Sequence, residues 1–326
     1  MLHIILYAIV PIVVIMFAGF LSGKKGVFSG QDAKKFNKVV LNYALPAALF
    51  VSIVQSTRED LEKDIKLTLV ALIGIMACFM LVYFVFKLFK KNTGAEAAVS
   101  ALISGSPTIG FLGFAVLEPI FDSTVGLPAV ALVVAIVGIV VNAVGIPVGL
   151  SLMNMSLAKR DAAKSARKQS AWKPVIAALM QPVAWAPILA VVWVLLGIPW
   201  PKELSPSFQL MAKANASLAV FSAGITLSAI KVAINWQVVL GSIMKMIVMP
   251  AVVLVLGIIF HLQPENLKML VVACALPPAF SGIIIADEYD VYVATGTSSL
   301  TLSVILFVGF CPLWIWLTDL CLGAIA

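Results

Sequence analysis

Apolar residues run along this chain in stretches of about twenty, parted by short segments where lysine, arginine, proline and glycine collect. A hydrocarbon core about 30 Å thick takes about 20 apolar residues per crossing helix. Ten stretches meet that requirement and predict spans at 2–22, 36–56, 66–89, 97–117, 126–155, 174–197, 206–230, 236–260, 267–286 and 292–320. The fifth and tenth are longer than a straight crossing needs, so tilt or kinking is expected there. The first lacks a basic start, carries Pro11 and is followed by Lys24 and Lys25 instead of a small-residue cleavage site. It reads as a retained helix and not as a signal peptide. The pattern predicts an all-α polytopic membrane protein.

The longest polar segment, residues 158–173, separates five spans over 1–157 from five over 174–326. A duplicated unit with an odd number of crossings must enter the membrane in opposite senses, so similarity between the halves implies an inverted repeat. Helix-breaking residues supply that similarity. Pro11 and Pro182 stand 171 positions apart, Pro107 and Pro277 170, Pro147 and Pro312 165, and Gly110 and Gly282 172. Two inverted five-helix repeats are therefore expected.

Composition agrees: 62% of the 326 residues are hydrophobic and 11% charged, against about 45–50% and about 25% in soluble domains. The net charge of +7 would suggest nucleic acid in a soluble protein, but here the cations sit between apolar runs, where they set orientation. No nucleic-acid partner follows. Fifteen Lys and Arg fall in the loops after the first, third, fifth and seventh spans and five in the alternate loops. The cation-rich loops are placed in the cytoplasm, with both termini outside. The loop after the ninth span is a local exception, carrying Asp287, Glu288 and Asp290 but no cation. Cys78, Cys274, Cys311 and Cys321 lie in apolar runs without paired spacing, which points to packing and away from a zinc site or a disulfide framework.

Chemistry concentrates at two interruptions. Ser104–Gly113 (SGSPTIGFLG) falls mid-way along the fourth span and Leu276–Gly282 (LPPAFSG) mid-way along the ninth. Proline removes a donor and clashes with the preceding turn, so backbone groups are freed that lipid cannot satisfy. Such backbone faces protein or water. Half-helices starting there aim partially positive N-termini at one centre, and the hydroxyls of Ser104, Ser106, Thr108 and Ser281 add donors, which suits a carboxylate. Pro107, Gly110, Pro277, Pro278 and Gly282 shape this candidate substrate site. Simple proline kinks are the plain alternative, but paired interruptions in two halves point to a transporter site.

Lys245 lies about nine residues, roughly 14 Å, into the eighth span. Two readings stand: an intramembrane cation that attracts an anion or carries a proton, and a structural cation bonded to carbonyls of a neighbouring helix. Lys213 is near enough to the surface to snorkel. Asn42 and Asn215 suit interhelical bonding, and Asn142, beside the interrupted fourth span, suits either bonding or the ligand. Thr295, Thr297, Ser298, Ser299, Thr301 and Ser303 adjoin the acidic turn at Asp287. Hard oxygen ligands such as these allow coupling to sodium or protons, and small polar residues also let helices approach closely. His3 and His261 lie near span ends, and no catalytic or cofactor-binding motif is present, so no enzyme, cofactor or resident metal is expected.

The ten-span plan, the two interruptions, GFLG at Gly110–Gly113 and the closing pattern Pro277, Ser281-Gly282, Ala286, Tyr289, Thr295 and Ser303 resemble the bacterial branch of the auxin efflux carrier family. The resemblance covers essentially the whole chain. It implies a sodium/proton-antiporter-like fold whose fourth and ninth helices cross at their breaks, and an elevator mechanism. The first, second, sixth and seventh spans would form a dimerising scaffold, and the others a moving unit. It implies a bacterial cell membrane, a homodimer, and a small organic anion such as malate, malonate or an auxin-like monocarboxylate as substrate. One departure concerns specificity: many relatives carry asparagine just before the first glycine, where this chain has Pro107, Thr108 and Ile109. Competing readings are a sodium-coupled carrier of the bile-acid type and, from another class, an intramembrane enzyme acting on lipid-linked substrates.

Overall fold

The computed structural model describes residues 10–55, 58, 65–89, 93–161, 180, 182–229, 234–279, 282–283, 285–286, 289 and 291–325. Among these, every regular element is a helix. They are α1 (Val10–Lys24), α2 (30–53), α3 (Ile65–Leu88), α4 (Gly94–Ser104), α5 (Ile109–Val125), α6 (127–161), α7 (Pro182–Leu195), α8 (Ser205–Ala229), α9 (Trp236–Ile259), α10 (Pro264–Ala275) and α11 (Val293–Ile325). Five of them, α3, α6, α8, α9 and α11, are long and apolar enough to cross a bilayer, and α1, α4 and α5 contain shorter apolar stretches. The outer faces are apolar, as at Phe17, Phe84, Leu210 and Ile305, while Ser104, Asn215 and Lys245 are buried. That inside-out distribution suits lipid as the solvent. Of the basic stretch 158–173, residues 158–161 continue α6 and the rest lie outside the described residues.

Local chemistry fixes where helices begin. Ser29 and Thr93 each close a capping box, with Asp32 and Glu96 at the third helical position, satisfying donors that a helix start leaves unpaired. The Ser29 amide donates to Asp32 Oδ2 at 3.0 Å, and this bond leads the pull that lowers the Asp32 carboxyl to about 2. Asn235 caps α9 by accepting from the Val238 amide at 2.9 Å, and Pro264 opens α10.

Three helices carry a widened π turn, at Val40–Ala44 in α2, Val140–Gly145 in α6 and Met244–Val248 in α9. Each ends two residues before a proline, Pro46, Pro147 or Pro250. A proline ring collides with the carbonyl four residues back, and widening the turn relieves the collision. In α9 the carbonyl deprived of its donor by Pro250 belongs to Met246, and Trp314 Nε1 of α11 donates to it at 2.8 Å.

The helices pack in two groups. α1 lies along α8, and α2 packs on α7 and α8. In the other group α3 packs on α4 and α9, α4 on α6, and α10 on α9 and α11. The groups meet where α5 touches α8 and where α2 touches α6. In the first group, Gly19 and Gly23 of α1 face Gly224 and Ser228 of α8. A Cβ at Gly19 would stand 2.1 Å from the Phe221 carbonyl oxygen, and one at Gly224 would stand 2.0 Å from that of Met16. Small residues four apart let two backbones touch. Ser222 adds a hydrogen bond to Asn37 Oδ1 of α2.

Candidate functional site

The two interruptions meet. α4 ends at Ser104 and α5 starts at Ile109, while α10 ends at Ala275 and residues 282–283 are again helical. Between them Pro107 and Pro278 form an isolated antiparallel bridge. The Thr108 amide donates to the Pro277 carbonyl at 2.9 Å, and the Ala279 amide donates to the Ser106 carbonyl at 3.0 Å. Two broken segments thus satisfy much of each other's freed backbone. Gly282 permits the crossing, because a Cβ there would stand 2.7 Å from the Leu102 carbonyl carbon and oxygen.

Some polar capacity remains at the crossing. The first intrahelical bond of α5 runs from the Leu112 amide to Thr108 O, so the amides of Ile109, Gly110 and Phe111 have no acceptor within the helix. Beside them Thr108 Oγ1 is buried and has no hydrogen-bond partner. Donors and helix dipole together make the start of α5 attractive to an anion. Gly110 faces the other helix group, since a Cβ there would stand 3.1 Å from Leu45 Cδ2 of α2. Ser106 packs beside the π turn of α6, its Oγ 3.8 Å from where a Cβ of Gly145 would stand. Asn142 lies in the same turn and donates through Nδ2 to Gly138 O at 2.8 Å.

Lys245 sits behind the crossing. It is fully buried in the π turn of α9, and Nζ donates to the Cys274 carbonyl and contacts Met249 Sδ at 3.2 Å. Cys274 lies in the last turn of α10, so the ammonium meets the partially negative end of that helix. Ser104, Thr295 and Ser299 come together in a small polar cleft with Ser100, Gln237 and Tyr292. Ser299 Oγ is buried without a partner there. Gly241 of α9 makes room for both hydroxyls, because a Cβ would stand 2.7 Å from Ser104 Oγ and 3.3 Å from Ser299 Oγ. Ser298 is buried, and Ser303 donates to Ser242 Oγ at 3.2 Å. Ser281, Asp287, Glu288 and Asp290 lie outside the described residues. Asn42 and Lys213 are exposed; Asn215 is buried with neither amide atom bonded. Among the described residues no cluster of His, Cys, Asp or Glu could hold a metal.

A family profile described as "Membrane transport protein" matches residues 4–315. The chain belongs to this family, which includes the auxin efflux carriers. It is similar to "Uncharacterized transporter YfdV" of Escherichia coli (strain K12), with 50% identity over 96% of this chain and 97% of that one. A "Putative malonate transporter" of Rhizobium meliloti (strain 1021) is 24% identical over 92% of this chain and 91% of its own. "Auxin efflux carrier component 4" of Arabidopsis thaliana is 26% identical over 37% of this chain and 20% of its own.

For a membrane transport protein, three features at this crossing escape sequence reading. Cys274 contributes a backbone carbonyl, which no side-chain pattern announces. Trp314 sits in an apolar run yet replaces a donor lost to Pro250. Gly241 is informative only once its neighbours across the helix pair are known.

Proposed function

We propose that this membrane transport protein is a secondary transporter that carries a small organic anion, a dicarboxylate such as malate or malonate or an auxin-like monocarboxylate, across the cell membrane. The carrying observation is the start of α5, where three amides without helical acceptors and the unpartnered Thr108 hydroxyl lie beside the bridged interruptions. The name of the Rhizobium relative supports malonate as a first probe.

The chain on this reading makes ten crossings as two inverted repeats, with the cation-rich loops cytoplasmic and both termini outside. The grouping of α1, α2, α7 and α8 apart from the remaining helices supports an elevator movement. The first group is then the scaffold, paired with that of a second copy in a homodimer, and the second group carries the crossing through the membrane. Gly110 stands at the boundary between the groups, where a smooth contact with Leu45 favours sliding.

Purified protein screened by thermal shift against a panel of small carboxylates tests the reading, because a ligand bound only to the native state raises its midpoint. A carboxylate of the panel is expected to raise the midpoint and to be taken up by reconstituted vesicles. No shift and no uptake across the panel would overturn it. Thr108→Val keeps the side-chain shape and removes the hydroxyl. Losing one hydrogen bond to a charged group costs about 1.5–3 kcal/mol, so roughly 10- to 150-fold weaker anion binding is expected with a nearly unchanged midpoint. Unaltered affinity would remove Thr108 from the site.

A further inference from the structure

A groove with a volume of about 560 Å³ runs between α1 and α11. Val13 and Phe17 line it from one side, Ile305 and Val308 from the other, and the buried Leu112 and Pro277 lie beneath. The lining is almost wholly apolar, with Lys24 as its charged member. From Val13 to Lys24 the α1 wall rises roughly 16 Å at about 1.5 Å per residue. That matches the depth of one leaflet, half of a hydrocarbon core about 30 Å thick. Phe17 is 57% exposed and Ile305 66%, so the groove opens sideways, toward lipid.

Its charged end is distinctive. Lys24 and Lys25 close α1, and Lys24 Nζ lies 5.7 Å from the Phe20 ring centroid, alongside the groove. Lys34, Lys35 and Lys38 follow in the sequence, and the single acid among them, Asp32, is engaged by Ser29 and by Lys35 at 3.1 Å. Apolar walls of leaflet depth ending in an excess of cations match one chemistry: an acyl chain ending in an anionic headgroup.

We propose that this groove binds an anionic phospholipid, with an acyl chain between α1 and α11 and its phosphate at Lys24 and Lys25. Binding stands apart from the transport reading. Its consequence rests on that reading: the lipid lies between a scaffold helix and a helix of the moving unit, so it restrains their sliding and makes transport depend on membrane composition.

The test uses the full chain in neutral detergent, with thermal unfolding followed in phosphatidylglycerol, in phosphatidylcholine of the same chains and in soluble glycerol 3-phosphate. Phosphatidylglycerol is expected to raise the midpoint by about 5 °C, as a native-state ligand in excess does, and the other two by less than about 1 °C. Lys24→Gln with Lys25→Gln removes the preference for phosphatidylglycerol, and Val304→Trp, which fills the groove, removes the shift. Equal shifts with both lipids would mean only general solvation by lipid, and an equal shift with glycerol 3-phosphate would mean a soluble-anion site. Either result overturns the proposal, as does an undiminished phosphatidylglycerol shift in both variants. No transport enters these readouts, so failure of the transporter reading leaves them interpretable.

Discussion

Gly224→Leu is expected to lower the thermal midpoint of the protein by roughly 10 °C. A Cβ at this position already stands 2.0 Å from the Met16 carbonyl oxygen and 2.9 Å from the Phe20 amide nitrogen. Both are backbone atoms of α1, so no side chain can swing away to make space. Overpacking a well-packed contact typically costs about 1–3 kcal/mol and occasionally more, and a backbone obstacle puts this case at the upper end. At about 2–4 °C per kcal/mol for chains of 150–250 residues, a shift near 10 °C follows. Gly19→Leu meets the Phe221 carbonyl from the other side and is expected to act alike. Gly309→Ala serves as the control, because a Cβ there has nothing within 4 Å and alanine is favoured over glycine within a helix. Melting curves in detergent decide the matter. A Gly224→Leu midpoint within about 2 °C of the parent would mean that α1 does not rest on α8 at this point.

How much of this was legible depends on the distance over which each signal acts. Apolar length is a local property, and the helices lie close to the stretches that predict them, with ends moved by caps: α4 begins at Gly94 because Thr93 and Glu96 close a box, not where apolarity begins. The interruptions at Pro107 and Pro277 were equally plain, since proline acts on its own backbone. That they satisfy each other through the Pro107–Pro278 bridge was not plain, because pairing across about 170 positions is a tertiary fact. The π turns fall between these cases. Pro46, Pro147 and Pro250 mark them, yet a proline inside an apolar run signals a kink as readily as a widened turn. The hydroxyls of α11 separated in a way sequence could not foresee. Ser303 bonds Ser242 across a helix contact, whereas Ser299 remains unpartnered in the polar cleft. Gly19 and Gly23 spell a close-packing motif that becomes meaningful only opposite Gly224 and Ser228.

Lys245→Met is expected to weaken binding of an anionic substrate roughly 4-fold, with a modest fall in the thermal midpoint. The ammonium is fully buried and held by the Cys274 carbonyl, where the C-terminal end of α10 carries roughly half a negative charge. That leaves about half of the lysine charge uncompensated at Cys274, whose backbone is three residues and so about 10 Å or less from Pro277 at the crossing. Half a charge and a unit charge about 10 Å apart at an effective dielectric of about 20 interact by about 0.8 kcal/mol, or roughly 4-fold in affinity. Methionine keeps the length of the side chain and fills about the same volume, so the pocket behind α10 stays packed while the charge and the hydrogen bond to the Cys274 carbonyl are lost. Binding measured by thermal shift over a titration of malonate, or of whichever carboxylate the panel yields, separates the two roles left open for this residue. A roughly 4-fold fall in affinity makes Lys245 the fixed counter-charge of the site. Affinity held within about twofold, with only the midpoint falling, makes it the cap of α10 and leaves the start of α5 to hold the anion alone.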